Sequence, residues 1–260
     1  MITIKNISKR FGGIHANRDI SLRFPQGKIT ALIGPNGCGK TTLFNIIAGS
    51  LRQDSGSVCI DDVDMSHSFT YKRGRKISRV FQRASLFDNM TVFENLSLAE
   101  HPFSFFRSFS VKKYDVTSIL KKIGLLNKKD VLCRDLSYGQ KRLVEIARAV
   151  LQPHAVLLLD EPIAGVTPSM RKKISYLLVS LRDEGETIVL IEHDLDFAAI
   201  ADKVVLMGNG KVILEDSYKA VMKHKSLHET YFGCRNIKFC VKFVIYCNFF
   251  QTILHYNTLC

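Results

Sequence analysis

The sequence predicts a mixed α/β fold, with antiparallel strands at its start, a helical middle third and a parallel sheet as its core. Three observations carry this. Short strand-like runs at residues 2–5, 20–24 and 29–33 open the chain, helical patterns occupy 92–99 and 116–123, and from residue 143 onward apolar runs alternate with amphipathic helices. Apolar strands set between helices belong to a parallel sheet covered on both faces.

In chain order, Pro25, Gln26 and Gly27 form a turn between the second and third runs. From Lys40 the pattern turns helical, with Leu43, Ile46 and Ile47 at three- and four-residue spacing and Gly49 placed to end the helix. Strands follow at 57–60 and 77–81. Leu143, Ile146, Ala147 and Val150 then make a helix face, 155–159 a strand, Ile174, Leu177, Leu178 and Leu181 a second helix face, and 188–191 another strand. Residues 203–207 and 211–214, joined by Gly208, Asn209 and Gly210, read as a closing hairpin. There is no internal repeat and no heptad tract.

The 260 residues are 46% hydrophobic and 23% charged, which excludes disordered and collagen-like classes. A formal net charge of +13 suits nucleic acid, an anionic membrane leaflet or a solvated surface. The densest cluster (Lys72, Arg73, Arg75, Lys76, Arg79, Arg83) lacks the aromatic interleaving of a single-strand stacking platform. No apolar stretch of leader length follows the first lysines, so export by that route is not expected. Asn248, Gln251, His255 and Asn257 interrupt the longest uncharged stretch, so no membrane-spanning helix is expected. Seven cysteines with no CxxC pair cannot all pair within the chain, which points to a reduced, cytosolic protein.

Gly34, Pro35, Asn36, Gly37, Cys38, Gly39, Lys40 and Thr41 fit the phosphate-loop pattern G-x4-G-K-[ST], with a strand before and a helix after. The glycines let backbone N–H groups turn inward around phosphate oxygens, and the helix adds its positive end. Lys40 would neutralise the β and γ phosphates, and the Thr41 hydroxyl would ligate Mg²⁺. Asp160 ends an apolar strand, where open α/β sheets bind ligands, and reaches the same metal. Glu161 follows, where a carboxylate can deprotonate an attacking water, although acidic residues there also serve as helix caps. Leu136, Ser137, Tyr138, Gly139 and Gln140 precede a helix carrying Arg142, Glu145 and Arg148; Ser137 could simply cap it.

Taken together, in this order, these motifs make residues 2–233 resemble the ABC ATPase family, whose signature here reads LSYGQ. The resemblance implies a P-loop NTPase fold with an antiparallel β N-terminal subdomain, a parallel-sheet core and a helical signature subdomain at about 83–152, within a domain of 1–233. It implies ATP and Mg²⁺ as cofactors. Nucleotide contacts fall on Phe11, Gly34, Pro35, Asn36, Gly37, Cys38, Gly39, Lys40, Thr41, Thr42, Ser137, Gly139 and Gln140, metal ligands on Thr41, Gln82 and Asp160, and catalytic roles on Glu161, His193 and Gln82. Phe11, otherwise a core side chain, would stack on adenine. The family works as a head-to-tail dimer, each ATP lying between one phosphate loop and the other subunit's signature. The implied partners are a second ATPase subunit, identical or not, two integral-membrane permease subunits and a solute-binding protein, with the chain peripheral on the cytoplasmic face of the inner membrane. No nucleic acid is expected.

LSYGQ, the EPIAGVTP stretch after Glu161 and IEHDLDF around His193 resemble the ATPases of branched-chain amino-acid and urea-type importers. Tyr138, Thr167 and Cys38 depart from the commoner family residues, and Thr167 leans toward the urea-type group. A lipid or lipopolysaccharide exporter is an alternative, since EPIAGV also fits there. A soluble ABC ATPase acting on nucleic acid is another, opposed by the lack of heptads between Lys40 and Ser137 and by the single ATPase unit. Residues 234–260 contain no Gly, Pro, Ala, Ser, Asp or Glu yet hold four of the seven cysteines. They read as an extension from a frameshift or lost stop codon; the rival is a basic, apolar membrane-surface segment.

Overall fold

A computed structural model describes residues 1–68, 70–82, 85–100 and 114–232. The reading of 234–260 as a foreign extension lies outside the described residues, as does Arg83.

Two sheets form. The first has the order β2-β1-β4-β5, built from β1 (Ile2–Phe11), β2 (Ile14–Phe24), β4 (Ser55–Ile60) and β5 (Val63–Asp64), all antiparallel. The sequence predicts a turn at Pro25–Gly27 inside an antiparallel start. The structure instead makes the hairpin at Gly12 and Gly13, and the Pro25 turn carries the chain from the first sheet to the second. The first two strands are also longer than their hydrophobic alternation suggests. Register shifts between Ile4 and Arg10, with Asn6 and Asp19 at positive φ, break the period of two that marks a strand.

The second sheet has the order β10-β9-β3-β8-β7-β6. Its strands β3 (Ile29–Ile33), β6 (Ile77–Val80), β7 (Val156–Asp160), β8 (Ile188–Ile191) and β9 (Lys203–Gly208) run parallel, and β10 (Lys211–Asp216) closes the edge as the expected hairpin. Alternate residues of each strand serve two cores. Leu32, Val156, Leu158, Val189 and Ile191 pack with the first sheet and with Leu43, Phe44, Ile46 and Ile47 of α1 (Lys40–Ala48). Ala31, Leu157, Leu159, Ile188 and Leu190 face α3 (Val92–Glu100), α4 (Val116–Lys122), α5 (Tyr138–Leu151) and α6 (Pro168–Asp183). Helix α1 is thus buried between the sheets, with its N-terminus at the carboxyl edge of the parallel strands. Three short helices complete the chain order, α2 (Thr70–Arg73), α7 (Leu195–Ala198) and α8 (Tyr218–Lys223), before α9 (Lys225–Phe232).

The basic cluster at 72–79 is not uniformly a solvated face. Arg73 is buried and donates to the carbonyls of Met65, Ser66, Ile46 and Ile47, tying the end of α1 to the segment after β5. No described helix is long and apolar enough to cross a membrane. The described cysteines, Cys38, Cys59 and Cys133, are free thiols.

Candidate active site

Strand β3, buried along its length, delivers the chain to Gly34, and α1 begins at Lys40. A side chain at Gly34 would strike the Met207 carbonyl, and one at Gly39 the Ala16 carbonyl, so neighbouring strands fix both ends of the loop on glycine. Gly39 caps α1 with no side-chain bond and no acid stands in the first turn, which leaves the leading N–H groups for an anion. Asn36, Gly37 and Thr41 are exposed, while Pro35 and Thr42 are half-buried. Lys40 is 4% exposed; its Nζ donates to Gly34 O (2.7 Å) and Pro35 O (3.0 Å), with Cys38 Sγ at 3.6 Å. An ammonium has three N–H donors; two go to these carbonyls and the third to the thiol, a weak acceptor that a phosphate in the loop can replace. Phe11 is 49% exposed at the end of β1, with Lys9 Nζ 5.6 Å from its ring centre, so the core alternative does not hold.

Asp160 ends β7 and is 7% exposed, its Oδ2 accepting from Arg79 Nη2 at 3.1 Å. Glu161 turns to φ 47°, a left-handed conformation uncommon outside glycine. Its surroundings hold it there: its N–H donates to Ile191 O (3.1 Å) and its carbonyl accepts from Arg142 Nη2 (3.0 Å). The turn aims the carboxylate at two partners that follow the ends of different strands. Gln82 Nε2 donates to Oε2 at 2.8 Å, and His193 Nε2 lies 2.9 Å from Oε1. Gln82, Glu161 and His193 therefore meet, although they are far apart in sequence.

Several contributors were not legible as site residues. Arg142, 2% exposed on α5, donates to the carbonyls of Phe81 (2.5 Å), Asp160 (2.9 Å), Glu161 and Pro162 (3.0 Å), and pairs with Glu145 at 3.2 Å. It ties the helix that begins within LSYGQ to the backbone under both acidic residues and before Gln82. The Tyr231 hydroxyl accepts from Gly34 N–H at 2.7 Å, and burial pushes its phenol up to about 12. Glu192, beside His193, is pushed up to about 7, chiefly by burial.

At the signature, Ser137 and Gln140 cap α5 reciprocally: Gln140 N donates to Ser137 Oγ at 3.4 Å, and Ser137 N to Gln140 Oε1 at 3.1 Å. Tyr138 is half-exposed and lies over Gly165, while Gly139 leaves room for the Met170 side chain.

A phosphate loop and an acidic pair at the carboxyl edge of one sheet, with LSYGQ opening α5, form a testable combination, and comparison with known proteins decides its family. The ABC transporter family profile matches residues 17–164. The chain belongs to the ABC transporter family. A sulfate/thiosulfate import ATP-binding protein of Acinetobacter baylyi is 39% identical over 81% of this chain, and one of Chromobacterium violaceum is 41% identical over 81%. The chain spans 60% of the length of each of these relatives. Among solved structures, an ABC-transporter ATP-binding cassette in its ADP conformation is similar with a TM-score of 0.77 and 33% identity, covering 90% of this chain and 99% of that one. A dimeric cassette in a post-hydrolysis state, bound to ADP and phosphate, has a TM-score of 0.72 and 27% identity, covering 84% and 99%. The fold expected of an ABC ATPase is therefore the fold present. The relatives are named for sulfate and thiosulfate, not for branched-chain amino acids or urea.

The donor set of this ABC cassette fits Mg²⁺: a hydroxyl (Thr41), a carboxylate (Asp160) and an amide oxygen (Gln82) are all hard ligands. Among the described residues no group of three or more His, Cys, Asp or Glu could cage a metal.

Proposed function

We propose that this chain is the ATPase subunit of an ABC importer, hydrolysing Mg-ATP in a head-to-tail dimer, with residues 1–233 as the working unit and 83–152 as its signature arm. The observation that carries this reading is the Glu161 carboxylate, held between Gln82 and His193 next to Asp160. Backbone N–H groups of Asn36, Gly37 and Gly39 to Thr42, with Lys40, bind the phosphates, and Phe11 offers its ring to adenine. Bound Mg²⁺ would offset charge on the β and γ phosphate oxygens. Glu161 takes the proton of the attacking water, and Gln82 and His193, one on each oxygen, fix the orientation of its carboxylate. Ser137 accepts from its own Gln140 N–H and keeps its hydroxyl proton, so it can donate to a phosphate bound by the opposing subunit.

The relatives' names favour import, and sulfate or thiosulfate over amino acids or urea. We assign solute choice to the permease and solute-binding subunits. Ser137→Arg tests the composite site. It should abolish turnover while ATP binding by the isolated subunit stays within about twofold. If affinity falls as far as turnover, the signature does not act across an interface.

A further inference from the structure

Arg79 projects from β6 on the same face as Phe81, two residues on, and toward α1. Its guanidinium is held at three points: Nη1 donates to Asn45 Oδ1 at 2.6 Å, Nη2 to Asp160 Oδ2 at 3.1 Å, and its carbon lies 4.6 Å from the Phe81 ring centre. Asn45 sits one turn beyond Thr41 on α1, so Arg79 spans the two elements that carry the proposed metal ligands Thr41 and Asp160. Both side chains of the ion pair are about nine-tenths buried. A carboxylate so buried needs a countercharge. The contact uses one nitrogen and one oxygen instead of the two-pronged fork common to such pairs, and Nε is buried with no partner among the described residues. Asp160 is thereby neutralised through one oxygen, while the other stays available as a ligand.

We propose that Arg79 is the resident counter-cation of Asp160, which keeps free divalent cations out of the site so that the metal enters with the nucleotide. The proposal rests on the reading of this site as one for Mg-ATP. With the guanidinium against Asp160 and the Lys40 ammonium in the loop, a lone divalent cation meets two fixed positive charges against Asp160 and Glu161. The triphosphate supplies the missing negative charge and further oxygen ligands together. Arg79 touches no reacting atom and acts as a positioning residue through Asp160.

The test uses Mn²⁺ as the probe, read by electron paramagnetic resonance of the free ion, on the full chain with and without a non-hydrolysable ATP analogue. Wild type should bind Mn²⁺ weakly alone and tightly with the analogue. Arg79→Met keeps the alkyl stem over Phe81 and removes the charge; it should bind Mn²⁺ without nucleotide on the order of tenfold more tightly. Arg79→Gln should behave alike, Arg79→Lys should stay near wild type, and adding Asp160→Asn to Arg79→Met should erase the gain. If neither neutral variant, assayed as folded protein, gains nucleotide-free Mn²⁺ affinity, Arg79 is only a strut between α1 and β7 and the proposal is overturned. If wild type fails to bind Mn²⁺ even with the analogue, the Mg-ATP reading itself falls.

Discussion

Replacing Glu192 by Gln should change the pH dependence of stability by an amount that the structure sets. Glu192 is 3% exposed; its Oε2 accepts from His193 N–H at 3.3 Å, and Oε1 is buried with no partner among the described residues. Burial raises its carboxyl to about 7 from the ordinary 4.5; the charges of Asp194 and Glu161 add to this, and the N–H groups of Ile163 and His193 oppose it. The folded protein thus holds this proton more tightly than the unfolded chain does. The resulting stabilisation is fully present below about 4.5 and is lost as pH rises through about 7. A gap of that size corresponds to about 3 kcal/mol. Glu192→Gln has nearly the same shape and cannot ionise. In urea unfolding, the stability of wild type relative to the variant should therefore fall by about 2–3 kcal/mol between pH 5 and pH 8. Parallel pH profiles for the two proteins would refute the reasoning.

Cys38 is 3% exposed and lies against Lys40, so alkylation should be slow, block nucleotide binding and be prevented by ATP. A Cys38→Ala protein that stays equally sensitive would place the damage at another cysteine. Arg142→Met removes donors from four backbone carbonyls and strands Glu145 in the core. It should cost about 3–5 kcal/mol in chemical denaturation without nucleotide, and an unchanged midpoint would contradict that. Tyr231→Phe keeps the ring and loses the bond to Gly34, worth about 1 kcal/mol, so ATP affinity in a fluorescent-nucleotide titration should fall about fivefold. Unchanged affinity would mean that the contact does not support the loop.

Much of this architecture was legible because its strands are continuous apolar runs. Residues 155–159 and 188–191 could be read as buried parallel strands, and the glycines and Lys40 announced the phosphate loop. The first hairpin was not legible, since bulges at Asn6 and Asp19 put polar residues where alternation calls for apolar ones. The buried arginines were hidden for a different reason. Arg73 and Arg79 fall in a cluster of basic residues and Arg142 follows Lys141, so all three look solvated, yet each reaches partners distant in the chain that only the fold assembles. The meeting of Gln82, Glu161 and His193 likewise depends on the parallel order of β6, β7 and β8, which places three strand ends side by side.

The central claim is that Glu161 is the base of an ATP-hydrolysing site, and single-turnover hydrolysis by Glu161→Gln tests it most directly. The amide can still accept from Gln82 and meet His193, so the site keeps its shape and loses only its proton acceptor. Mg-ATP should bind within about twofold of wild type while hydrolysis slows by about 10²–10⁴-fold and ATP-bound dimers accumulate. Hydrolysis at the wild-type rate by a variant that binds ATP normally would contradict the account.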